Sequence, residues 1–240
     1  LAAHDRAAAL ALVGLSDEAP KSETLEDSVA RRSAFLSEYQ NVALAERFRA
    51  MLARVEAVEA SLGSERHLSA AVAESYFKLL AVKDEWEVAR LYAEGDFQDQ
   101  LKARFSGDYR LRFHLSPPWL APRDRYSGAR RKTSFGPWAL TLFGLLARLR
   151  GLRGGPLDVF AWQSERRRER QLVSEFEATL EELLAGLGAA NLAQAVDIAR
   201  LPLDIKGFGP VKERAITRFE IEHESLMAAY RHGDRAAAAE

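Results

Sequence analysis

A chain of 240 residues, 48% hydrophobic and 29% charged, is long enough to bury a substantial core, and its balance is globular, neither disordered nor membranous. It contains no cysteine, which excludes disulfides, thiolate nucleophiles, zinc–thiolate sites and iron–sulfur ligation within these residues and fits a reducing compartment. The net charge of −1 hides a segregation, because residues 1–100 carry 11 Lys/Arg against 18 Asp/Glu, residues 101–170 carry 16 against 5, and residues 171–240 carry 7 against 12.

The longest apolar run, Trp138 to Ala147, is half of the roughly 20 residues that a membrane span needs, and no signal core opens the chain. A cytoplasmic location is the expectation. Residues 1–23 read as a connector from an upstream domain: a helix-prone LAAHDRAAALALVGL is followed by breakers at Gly14, Pro20 and Ser22. The start at Leu1 reads as a fragment of something longer.

From Thr24 the apolar period becomes helical. Thr24 and Asp27 form an acidic variant of a capping box, and Leu25, Val29, Leu36, Tyr39, Phe48, Leu52 and Val55 predict one long helix ended by Gly63. A second helix is predicted from about Leu68 to Tyr92 and a shorter one over Phe97–Phe105. One strand stands out: Tyr109, Leu111, Phe113 and Leu115 alternate with Arg110, Arg112 and His114 between Gly107 and Pro117. A single strand needs a partner, which the segment Pro117–Phe135 supplies as an irregular return. Helices resume over about Pro137–Arg150, Val159–Leu187 with Asp158 as N-cap, Asn191–Leu201, and Val211–Arg231 after a Gly207–Pro210 turn. The fold class is therefore mainly α: a multi-helix domain over residues 24–235 with a small β insertion around residues 107–135, and a frayed tail at 236–240. The tryptophans at 86, 119, 138 and 162 are expected in the core.

Few residues announce chemistry. Arg110, Arg112 and His114 share one strand face at about 7 Å spacing, which suits a phosphate or carboxylate and equally suits a solvated edge. Arg123, Arg130, Arg131 and Lys132 crowd a loop with Tyr126 and Gly128, a pattern that can grip an anionic cofactor or an acidic protein. Two readings of the basic middle stand side by side: acidic helices neutralise it, or it faces a ligand or partner. Nucleic acid is not expected, because the whole chain is not basic and no reader motif occurs. Gly151–Pro156 is neither GxGxxG nor a Walker sequence and reads as a turn. Arg166, Arg167, Arg168 and Arg170 near a helix start oppose the dipole, so they should have acidic partners within the fold. Lys83, Asp84 and Glu85 read as local ion pairs. Five histidines show no HxxxH or HExxH spacing, so no metal site is expected.

Long motifs in fixed order carry more information. KDEWEVARLY (Lys83–Tyr92), GDYRLRFHLSPPWLAPRD (Gly107–Asp124), FGPW (Phe135–Trp138), LLARLRGLRGGPLDVF (Leu145–Phe160) and GFGPVKER (Gly207–Arg214), extended by RRSAFLSEY (Arg31–Tyr39) and YFKLL (Tyr76–Leu80), resemble the C-terminal helical region of the fused indolepyruvate ferredoxin oxidoreductase family. The resemblance covers roughly residues 22–230. It implies a parent enzyme that oxidatively decarboxylates aryl 2-oxo acids to acyl-coenzyme A and reduces ferredoxin, using thiamine diphosphate and iron–sulfur clusters. It carries over no catalytic residue, because no cluster cysteine and no thiamine-type GDG motif is matched here. Phe160-Ala161-Trp162-Gln163 departs from the Phe-Gly-Tyr-Thr-like turn expected of the family. By this resemblance the chain holds no cofactor itself. The resemblance implies as partners the upstream catalytic domains of the same polypeptide, with ferredoxin or coenzyme A as further candidates; the full-length enzyme would be a homo-oligomer, and neither membrane nor nucleic acid is expected as a partner.

Overall fold

A computed structural model of the chain describes residues 23–94, 97–107, 110–115 and 133–237. Among these residues the architecture is mainly α with a small antiparallel β pair, in line with the periodicities.

Six helices form a bundle. They are α1 (Leu25–Tyr39), α2 (Val42–Ala60), α3 (His67–Leu80), α7 (Ser164–Ala185), α8 (Leu192–Arg200) and α9 (Pro210–Ala237). Thr24 caps α1 as its spacing predicts, accepting from the Asp27 amide at 3.1 Å and donating to the Asp27 carboxylate at 2.8 Å. The predicted single helix from 24 to 63 is instead two. Asn41 accepts from Leu44 N at 2.9 Å and starts α2 afresh, while the apolar period runs on across the break because both helices face the same core.

Helix α3 sits at the centre, touching α1, α2, α7 and α8. Its small residues Ser69, Ala71, Ala73 and Ser75 are buried along with Leu68, Val72 and Tyr76, so neighbours approach it on nearly every side. Such a helix has no polar flank to cap its own start. Arg66, at φ 62°, offers no side-chain cap. The Glu59 carboxylate from α2, fully buried, accepts from the Leu68 and Ser69 amides at 2.8 Å each and from the Ser64 and Ser69 hydroxyls at 2.7 and 2.6 Å. A negative charge is thereby set against the positive end of the helix.

Between α3 and α7 the chain makes an excursion with its own core. This insert holds α4 (Glu85–Ala93), α5 (Phe97–Arg104), β1 (Phe113–Leu115), β2 (Thr133–Phe135) and α6 (Ala139–Arg148). The strands pair antiparallel, with Phe113 opposite Phe135 and His114 opposite Ser134. Tyr92, Phe97, Phe113 and Phe143 form its aromatic centre, with rings 4.9–5.3 Å apart for Tyr92 against the other three. No residue of this cluster belongs to the bundle's core.

Of the tryptophans expected in the core, only Trp86 is confirmed there, 2% exposed; Trp138 and Trp162 are 59% and 82% exposed, and Trp119 lies outside the described residues. The predicted connector (apart from Glu23 inward) and the last residues of the tail also lie outside them.

Candidate functional site

The insert joins the bundle through two neighbouring strands of chain, residues 81–84 and 149–163, and the chemistry of the protein concentrates at this neck. The predicted helix over 68–92 breaks here, because Asp84 accepts from the Glu87 amide at 2.8 Å and caps α4. The same carboxylate, 4% exposed, receives Arg153 in a two-pronged pair at 2.7 and 2.8 Å. Arg153 also donates to the Tyr39 carbonyl, and its guanidinium lies 3.6 Å from the centre of the Tyr39 ring. The segment Gly151–Pro156 is the predicted turn. At Gly154 the backbone enters the left-handed region (φ 73°), which a side chain resists, and its amide donates to Asp158 at 2.8 Å.

Asp158 is not the N-cap of the following helix, which starts only at Ser164. It is buried in the neck, accepting from the Trp86 indole at 3.1 Å and from the Phe160 amide at 3.0 Å, while the Trp86 and Phe160 rings meet edge to face at 5.1 Å. Glu85 accepts from Gln163 and Arg166, both at 3.2 Å. Asp84 and Glu85 therefore pair across 69 and 81 residues of sequence, not locally as their spacing suggested.

Arg166 also binds Glu169, whose second oxygen takes Lys212. Burial by itself would lower the Arg166 pKa, but Glu169 and Glu85 override it and raise it. Burial, reinforced by Asp84, likewise pushes the Tyr39 phenol far up, so it stays protonated. A third contact line crosses the seam at Arg90, which forks onto Glu87 at 2.9 Å, lies 3.6 Å from Glu38 and sits 5.5 Å from the Phe35 ring.

A cavity of about 330 Å³ opens at this seam, bordered by Tyr39, Trp86, Arg153, Arg166 and Glu169. Every carboxylate around it already accepts from at least two donors, so none is poised as a base or nucleophile. The arrangement suits holding two parts of the molecule together better than it suits proton transfer.

Arg110, Arg112 and His114 are exposed beside the buried Phe113, so the alternation places them on one solvent side with no carboxylate partner among the described residues. Arg123, Arg130, Arg131 and Lys132 lie outside the described residues. Of the four arginines expected to have acidic partners near the start of α7, Arg166, Arg168 and Arg170 have them, while Arg167 has none among the described residues. Arg150 meets Glu94 at 2.9 Å, Arg168 meets Glu175 at 2.9 Å and also Glu220, and Arg170 lies 4.0 Å from Asp158.

A second feature escaped the sequence. Trp138, Leu142, Leu145 and Leu149 recur at helical spacing along α6 and are 40–59% exposed, while Ala139, Phe143 and Ala147 on its other face are buried. Apart from an exposed stripe at Thr141 and Arg148, α6 is apolar on its outer as well as its inner face, which ordinarily marks a helix with a second covered side. Among the described residues no grouping of His, Cys, Asp or Glu could hold a metal ion, and no helix is long and apolar enough to cross a membrane.

Residues 25–225 match the model of a family of unknown function, DUF6537. No curated protein and no solved structure matches the chain.

Proposed function

Starting from the DUF6537 family, to which this chain belongs, we propose that the domain is a noncatalytic assembly part of an indolepyruvate ferredoxin oxidoreductase-like enzyme, seated against that enzyme's catalytic region through the outer face of α6. The observation that carries this reading is the exposed apolar row Trp138, Leu142, Leu145 and Leu149. Such a contiguous row marks an interface when it is large enough to matter. The resemblance of the long motifs supplies the parent: an oxidoreductase acting on aryl 2-oxo acids, cytoplasmic and homo-oligomeric, with ferredoxin as acceptor. Saturated carboxylates at the neck favour a holding role over a catalytic one. With no cysteine, these residues do not fit an iron–sulfur cluster, and no thiamine motif is present, so those groups belong to the parent's other domains.

The test uses the full-length polypeptide that contains this domain. Trp138→Asp with Leu145→Asp should dissociate the assembly by light scattering and lower indolepyruvate-dependent ferredoxin reduction, with helical circular dichroism unchanged. Unaltered mass and activity would overturn the assembly role. A wild-type polypeptide that turns over no aryl 2-oxo acid would overturn the parentage.

A second reading rests on Arg110, Arg112 and His114, whose shared exposure favours an anionic contact such as coenzyme A phosphates or ferredoxin. It requires binding that weakens with salt and is lost in Arg110→Glu/Arg112→Glu.

A further inference from the structure

The two hydrophobic cores of this protein are separate, and what lies between them is a set of ion pairs around the buried Trp86–Phe160 ring pair. The insert, residues 85–148, enters through 81–84 and leaves through 149–163, so both of its connections pass the same point. There the first connection is tied to the second by Asp84 to Arg153, and the insert's first turn is tied to the second connection by Trp86 to Asp158 and Glu85 to Gln163. Arg153 is tied in turn to the bundle, through the Tyr39 carbonyl and ring. A segment with its own core and a two-stranded attachment has the topology of an arm on a hinge.

We propose that the insert is an arm that opens from the bundle as a unit, and that the Asp84–Arg153 pair, locked onto Tyr39, is the clasp that holds it closed. This holds whatever the arm docks against and does not rest on the assembly reading above.

Physical reasons favour a clasp here over simple glue. A buried ion pair contributes little net stability against an apolar alternative, yet losing one partner leaves an uncompensated buried charge, so it fixes geometry more than it adds stability. Arg153 is well placed for this role, because its planar fork engages both Asp84 oxygens and its face covers the Tyr39 ring. Opening the arm would separate these groups into water, where each is solvated again. Neither core need be broken: Phe113 and Phe143 stay together in the arm, and Phe48 and Tyr76 in the bundle. Among the contacts that must part are Arg153 with Tyr39, the Tyr39 hydroxyl with the Val82 carbonyl, Gln40 with the Arg153 carbonyl, Arg90 with Phe35 and Glu38, and Arg166 with Glu85.

Two variants release the clasp, and only the second alters the residue that caps α4. Arg153→Gln removes the cation, and Asp84→Asn removes the anion while keeping an oxygen for the Glu87 amide. Peptide-resolved hydrogen exchange on the full 240-residue chain should show the described parts of the insert, 85–94, 97–107, 110–115 and 133–148, exchanging about tenfold faster or more in both variants, with α3, α7 and α8 unchanged. Uniform acceleration over the whole chain, or none anywhere, would overturn the proposal. Because the chain has no cysteine, spin labels at Thr141→Cys on α6 and Ala57→Cys on α2 report the hinge directly. A single narrow distance distribution should broaden in Arg153→Gln with circular dichroism retained, and Arg153→Lys should fall between. An unbroadened distribution in a folded Arg153→Gln chain would refute a moving arm.

Discussion

In the bundle, Leu36, Phe48, Tyr76 and Leu180 are sealed from water on every side, and a fully buried charge among the helices, Glu59, is satisfied by four donors at a helix end. In the insert, a handful of rings around Phe113 and Phe143 do the same work over a smaller area, and α6 turns an apolar face outward. The bundle can stand on burial, since the apolar area removed from water dominates folding. The insert's core is small, so its place depends on the ions at the neck. The difference teaches where each region should fail: the bundle by losing packing, the insert by losing its attachment or its partner.

The largest effect should come from the bundle. Phe48→Ala, which empties a site beside Tyr76, is expected to cost about 3–5 kcal/mol, read as a lower denaturant midpoint for the whole chain. The same truncation in the insert, Phe143→Ala, should cost about 3 kcal/mol in the smaller core. Its signature is local: exchange rises over 85–148 while the bundle's midpoint holds. Equal behaviour of the two truncations would erase the distinction between the cores.

Glu59→Ala should follow, at about 1–3 kcal/mol, because two buried amides of α3 lose their acceptor. Its acid dependence has a definite sign. Burial pushes the Glu59 carboxyl up, but bonds from the Ser69 and Ser64 hydroxyls and the Leu68 and Ser69 amides outweigh it, leaving it below its ordinary 4.5. The unfolded chain therefore binds this proton more readily. The stabilisation is complete above pH 4.5 and is lost as pH falls from there through the depressed folded value. Glu59→Gln should flatten that acid slope in urea titrations at stepped pH. An unchanged slope would remove the cap from its assigned role.

Smallest of all should be Trp138→Ser, expected within about 0.5 kcal/mol of wild type for the chain by itself, since the ring is already mostly in water. A large loss in the isolated chain would mean the α6 face is part of the fold and not an interface.

Much of the fold was legible in local patterns. Thr24 with Asp27 announced the start of α1, and the alternation around Phe113 announced a strand with a buried and a charged side. Pro210 opens α9 as its fixed φ suggests. Two breaks were not legible, at Asn41 and at Asp84, because the apolar period is indifferent to a turn when both flanking helices face one core. The ions of the neck were hidden for another reason. KDEW and LRGGPLDVF are conspicuous as motifs, yet nothing local in either says that Asp84 meets Arg153 or that Trp86 meets Asp158.

The amino-acid sequence by itself determined the class of this protein: period, caps and turns act within a few residues, and so helices, strand and turns follow from them. Only the tertiary structure decided which charges are partners, which tryptophan is buried, and which face of α6 is left bare. The contacts across the neck span 69 to 81 residues, where the electrostatics of burial and the geometry of packing, not local preference, choose the neighbour.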